Sequence, residues 1–137
     1  MSSASGERHI ALLREAIEAF NRGDAAALQR FFDPAVECVV GPRLVNTGTF
    51  HGHEGYLEMV TAWNEAWGQL DNRIVDASAP DERHVIAEIH QTATGSVSGV
   101  PVEMTVFYCV EIRAERAVRF HIYADRAEAL AAIGREG

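Results

Sequence analysis

Three side chains in this sequence pair a reactive group with a setting that could use it: His90, Cys38 and His51. His90 stands inside Ile86-Ala87-Glu88-Ile89-His90-Gln91-Thr92, with Glu88 two residues away and therefore on the same face of a strand. An imidazole oriented by a carboxylate is a general base that titrates near neutrality. The alternate face (Val85, Ala87, Ile89, Gln91, Ala93) is the more apolar, which favours an outward His90. Cys38 lies in Val36-Glu37-Cys38-Val39-Val40. Its thiol becomes a nucleophile only beside a cation that lowers its pKa, and His51 or His90 could be that cation. A buried, inert thiol is the plainer reading. His51 and His53 flank Gly52 ahead of a long helix, where a substrate anion could meet the helix N-terminus. Exposed loop and capping residues are the simpler alternative. His121 and Tyr123 share one face of a late strand, and Asp125-Arg126-Ala127-Glu128 reads as a capping box.

The elements that must position these groups follow from periodicity. Ile10, Leu13, Ile17 and Phe20 form one face of a helix over about 7–22, stopped by Gly23. Asp24 caps a shorter helix carrying Leu28, Phe31 and Phe32, which Asp33-Pro34 breaks. A short strand spans 36–40, and a loop follows to about 49. The helix over 53–67 places Tyr56, Met59, Val60, Trp63 and Trp67 on one stripe, which needs something apolar to cover. Four strands come next, at 70–77, 83–94, 100–113 and 116–124, rich in β-branched and aromatic residues and separated by turn signals. A tail helix ends at Gly134. Segregated helices and antiparallel strands make the chain α+β.

Composition removes whole classes of function. A formal charge of -8 argues against a general grip on nucleic acid or an anionic membrane. No stretch approaches a membrane span. Two cysteines in apolar stretches suit free thiols in a reducing cytoplasm and offer no metal-ligand spacing. Residues 1–6 read as a disordered lead-in to a single domain over 7–137. All 12 basic residues are arginine and alanine is abundant, the mark of a GC-rich bacterial genome.

Phe20-Asn21-Arg22-Gly23-Asp24, Phe50-His51-Gly52-His53-Glu54-Gly55, Trp63-Asn64-Glu65-Ala66-Trp67, Ser98-Gly99-Val100 and Tyr123-Ala124-Asp125-Arg126-Ala127-Glu128-Ala129-Leu130 together resemble the nuclear transport factor 2-like superfamily, SnoaL-like bacterial branch. The resemblance implies a cone of helices on a curved antiparallel sheet, a cystatin-like α+β barrel around an apolar pocket. It implies a pocket wall of Phe20, Phe32, Tyr56, Val60, Trp63, Trp67, Thr105, Phe107, Phe120 and Ile122. The steroid isomerases of this superfamily need a tyrosine, a base and a protonated acid; this chain offers Ala16, Cys38 and, near the third position, Phe107. The epoxide hydrolases need acids across two strands, where this chain has Ile122 and Glu88-Ile89-His90-Gln91.

The expectation is a cofactor-free, metal-free acid/base enzyme acting on a hydrophobic metabolite, as isomerase, cyclase, dehydratase or hydrolase. The alternatives are a non-catalytic binder of an apolar small molecule and a dimeric interaction module with a vestigial pocket. A homodimer through the convex sheet is expected in each case.

Overall fold

Leu13, Ala16, Ile17 and Phe20 recur at helical spacing on α1 (Ala4–Arg22), so one face of that helix must be buried. The computed structural model describes residues 4–42, 44, 47–68, 70–94 and 101–136, with side chains at all of these except 4, 5, 67, 94 and 134–136. Gly23, at a φ of 74°, ends α1. Asp24 then caps α2 (Ala25–Phe31), its Oδ1 accepting from the Ala27 amide at 3.1 Å. The chain extends earlier than its helical pattern suggests. Phe32 already belongs to β1 (Phe32–Val40), and the register shift between Phe32 and Glu37 absorbs Asp33-Pro34.

A strand that the sequence reading treats mostly as loop follows, β2 (Gly48–His51), paired antiparallel to β1. It leads directly into α3 (Gly52–Trp67). Gly55 explains the tight junction: a Cβ there would lie 2.9 Å from the Phe50 carbonyl carbon, so only glycine lets α3 press this closely on β2. The meander β3 (Leu70–Ser78), β4 (His84–Thr94), β5 (Pro101–Arg113) and β6 (Arg116–Tyr123) is as expected to within a residue or so. Helix α4 (Arg126–Glu136) closes the described chain and runs past Gly134. Its cap is the anticipated one, with Asp125 Oδ1 accepting from the Glu128 amide at 2.8 Å.

The six strands form one sheet in the order β2-β1-β6-β5-β4-β3. It is mixed rather than antiparallel throughout, because β1 runs parallel to β6, with Cys38 opposite Phe120 and Val40 opposite Ile122. It stays open, with β2 and β3 as edges, and so is not a closed barrel. Helices α1, α2 and α3 cover one face, here called inner, against Val36, Cys38, Val85, Ile89, Val106, Val110 and Ile122. Helix α4 covers part of the outer face through Ala129 and Ala132 on Ile86, Cys109 and Tyr123. Among the described residues no helix is long and apolar enough to cross a membrane.

Candidate functional site

Between the helices and the inner face lies a cavity of about 50 Å³. Helix α1 contributes Leu13, Ala16, Ile17 and Phe20, and α3 contributes Tyr56, Met59, Val60 and Trp63. Both sets follow the same i, i+3, i+4, i+7 spacing, so the two helices present matching apolar stripes. Leu28, Phe31 and Phe32 close the space from the α2 side. The sheet floor is Leu70, Asn72, Gln91, Tyr108, Phe120 and Ile122. Phe32, Tyr56, Tyr108 and Phe120 make a chain of ring contacts with centroids 4.3 to 5.4 Å apart along successive pairs, which fixes the shape of this wall.

The polar groups of the wall are few, and several lack partners. Asn72 and Gln91 face each other across β3 and β4. Gln91 Nε2 donates to the Tyr108 hydroxyl at a long 3.4 Å. Among the described residues, Trp63 Nε1, Asn72 Oδ1 and Gln91 Oε1 are buried without a hydrogen-bond partner, and all three residues line this cavity. A buried polar atom without a partner costs about 1–3 kcal/mol, so three on one small cavity concentrate that cost in one place. Burial pushes the Tyr108 phenol far above its ordinary value, against a small opposing effect of the Gln91 hydrogen bond. Burial likewise raises Tyr56, with Tyr108 and Cys38 adding to it. Both phenols therefore stay protonated and can donate hydrogen bonds. Among the described residues no carboxylate or imidazole lines the cavity, and no group of three histidine, cysteine or acidic side chains could hold a metal ion.

Asn21 sets the position of the polar floor. Its side chain grips the Asn72 backbone from both sides, accepting from the amide at 2.9 Å and donating to the carbonyl at 2.7 Å. The end of α1 is thereby tied to β3 at the residue that enters the cavity.

A profile of the SnoaL-like domain matches residues 13–120, most of the chain and every strand and helix of the cavity wall. The chain belongs to the SnoaL-like domain family. Solved structures agree on the fold. A protein assigned as a SnoaL-like polyketide cyclase from Jannaschia sp. CCS1 superposes with a TM-score of 0.77 at 10% identity, over 97% of this chain and 96% of that one. IdmH of Streptomyces antibioticus, also assigned as a polyketide cyclase, gives 0.71 at 22% identity over 92% and 98%. TerC, solved with polyporic acid, gives 0.75 at 17% identity over 93% and 98%. No curated protein matches the sequence.

Within this SnoaL-like frame the residues singled out from sequence separate. Phe20, Phe32, Tyr56, Val60, Trp63, Phe120 and Ile122 line the cavity together. The Trp67 side chain lies outside the described residues. Thr105 and Phe107 lie elsewhere: Thr105 is exposed, and Phe107 packs with the α4 cluster beneath the Arg126 guanidinium, 5.4 Å from its ring centroid. The cause is a bulge between the Glu111–Arg119 and Ile112–Ala117 pairs. Counting from the hairpin without it sets Phe107 opposite Ile122; with it, Tyr108 takes that place. A phenol therefore stands where the sequence reading put a phenyl.

The three proposed catalytic groups are not brought together. His90 is on the outer face, in register with Arg73 and Thr105. His51 is exposed on β2. Cys38 does face inward but is fully buried in the core and is not on the cavity wall. Burial, helped by the charge of Glu37, pushes its thiol up to about 12, the reverse of an activated nucleophile. His121 and Tyr123 are outer-face residues, yet buried. His121 Nε2 donates to Glu37 at 3.0 Å, and its Nδ1 meets the Tyr123 hydroxyl at 2.9 Å. Asn72, Gln91, Tyr108 and Asn21 escaped the sequence reading. Gln91 left a signal there: it is the polar member of an otherwise apolar strand face.

Proposed function

We propose that this SnoaL-like chain binds a small, uncharged, largely apolar molecule through an oxygen function, and holds it by hydrogen bonds without acting as a general base. One observation carries this: a carbon-walled cavity whose Trp63 N–H, Asn72 carbonyl and Gln91 carbonyl have no partners. The N–H asks for an acceptor and the two carbonyls ask for a donor, so a hydroxyl, an enol or a hydrated carbonyl satisfies both kinds. Size limits the ligand further. Sites for whole drug-sized molecules are usually about 300–1,000 Å³, so about 50 Å³ suits a head group of a few atoms.

A polyketide cyclase, the activity assigned to several structural neighbours, needs a group that accepts a proton from carbon. The described wall supplies protonated phenols and neutral amides, which can stabilise an enolate oxygen but cannot generate it. Binding is therefore the reading we prefer. Titrating the protein with neutral ketones and alcohols, with the Trp63 indole N–H followed by NMR and the ligand by mass spectrometry, tests it. Saturable shifts with intact ligand are expected. Turnover with a bell-shaped pH profile would replace this reading with an enzymatic one.

Two copies would meet through the uncovered part of the outer sheet face, where Arg73, His90 and Thr105 stand side by side. Light scattering should then give twice the chain mass. A cytoplasmic setting is supported by two unbridged cysteines buried on opposite faces of the sheet.

A further inference from the structure

We propose that the ligand enters, and keeps an apolar tail, in the groove between α2 and the first half of α3; this rests on the cavity being a binding site. The groove has a volume of about 90 Å³. It shares Leu28, Phe32 and Tyr56 with the cavity, so those three side chains form the partition between an inner chamber and an outer one. Its remaining wall has no carboxylate or guanidinium: Ala25 and Gln29 from α2, and His53 and Leu57 from α3, the leucine 55% exposed although large and apolar. An exposed leucine beside a shared apolar partition is what a sliding hydrocarbon would require.

Two other grooves reach the cavity wall, and both are chemically unsuited. The one between α1 and α2 carries Glu15, Glu18, Arg22, Arg30 and Glu115. The one at the α1–α2 turn carries Asn21, Arg22 and Asn64, with Arg22 tied to Asp24 at 3.1 Å. An apolar chain passing either would displace water from charged or amide groups and offer nothing in return. The α2–α3 groove carries less to desolvate: one amide, Gln29, on its exposed rim, and a His53 ring whose Nε2 is already bonded within the protein. Its seam is also fixed in place, since His53 Nε2 donates to the Phe32 carbonyl at 2.8 Å. The ligand class that fits is a slim molecule with an oxygenated head and an uncharged hydrocarbon tail of several carbons, its far end emerging near Gln29 and His53.

A series of 2-alkanols from 2-propanol to 2-octanol, whose hydroxyl both donates and accepts, tests this, with occupancy read from the Trp63 indole N–H resonance. Affinity should rise about threefold to fourfold per added methylene and level off once the groove is full. Ala25→Trp and Leu57→Arg alter exposed rim positions, so neither threatens the core. Both should abolish the gain from chain length and leave 2-propanol binding within about twofold of wild type, on the same area argument. If both variants keep the wild-type gain, or if Glu18→Trp in the charged groove removes it, the groove assignment is overturned and the cavity reading stands. If neither 2-propanol nor 2-butanol moves the Trp63 resonance, the cavity reading itself falls and takes the groove with it.

Discussion

At the scale of single residues, the same atom can destabilise the empty protein and serve the occupied one. The Trp63 N–H is buried with no partner. Trp63→Phe removes that orphan, so urea denaturation of the empty protein should show a loss smaller than about 3 kcal/mol, the low end for truncating a buried aromatic. 2-Alkanol affinity should fall about fivefold to tenfold, the worth of one hydrogen bond. A purely structural Trp63 would show a stability loss with affinity unchanged. The cysteines make the opposite case. With its thiol pushed up to about 12 and no exposure, Cys38 should stay unmodified by a disulfide reagent at pH 8 until the chain unfolds, as should buried Cys109. Cys38→Ala should leave 2-alkanol binding within about twofold of wild type, since the thiol makes no contact with the cavity space. The buried faces of α1 and α3, with Phe20, Tyr56 and Trp63, were legible as helical stripes; that these residues share one wall with Phe32 and Phe120 on the strands was implied only by the resemblance. Phe107 and Tyr108 were not separable, since α4 makes the outer face apolar too and both faces of β5 then read alike.

Among the elements, position is decided by a few side chains that reach across boundaries. Asn21 is exposed, polar and at a helix end, where sequence assigns it no role beyond the motif it belongs to. In the fold it supplies β3 with the two hydrogen bonds a neighbouring strand would give. Asn21→Ala should cost about 1–3 kcal/mol of stability in a urea titration, and should weaken 2-alkanol binding because Asn72 loses its anchor. Asn21→Asp, which keeps the acceptor and loses the donor, should recover part of both. Element existence was readable from periodicity and turn residues. The bulge between β5 and β6 was not, because it depends on how two strands settle against a third, and one extra residue inverts every facing beyond it. β2 was hidden for a similar reason: four residues of alternating exposure carry little pattern of their own and are strand only because β1 is beside them.

Across the whole molecule, the outer face carries a row of charge that no single element reveals. Glu37, Arg119, Glu111 and His84 lie in register on β1, β6, β5 and β4. Glu111 is almost fully buried, yet Arg113 reaches it at 2.6 Å and Arg119 at 3.0 Å. Burial alone would raise its carboxyl; the two guanidinium groups outweigh that and hold it below the usual range. A carboxyl lowered in the folded state contributes stability above its unfolded value of about 4.3 and loses it as pH falls through the folded value. Thermal unfolding should therefore show a midpoint that drops between about pH 5 and pH 3. Glu111→Gln should start lower at neutral pH, fall less, and meet the wild-type curve in acid. The parallel pairing of β1 with β6 has a separate consequence, one of timing. The first strand leaves the ribosome long before its central neighbour exists, so Val36, Cys38 and Val40 must wait while the meander forms from local contacts. By contact order the β1–β6 ladder, whose partners are about 80 residues apart, is expected to close after the local meander. Because the cavity floor includes Phe120 and Ile122, no ligand can be held before that closure, and any ligand acts as a latch on a finished fold rather than a guide to it.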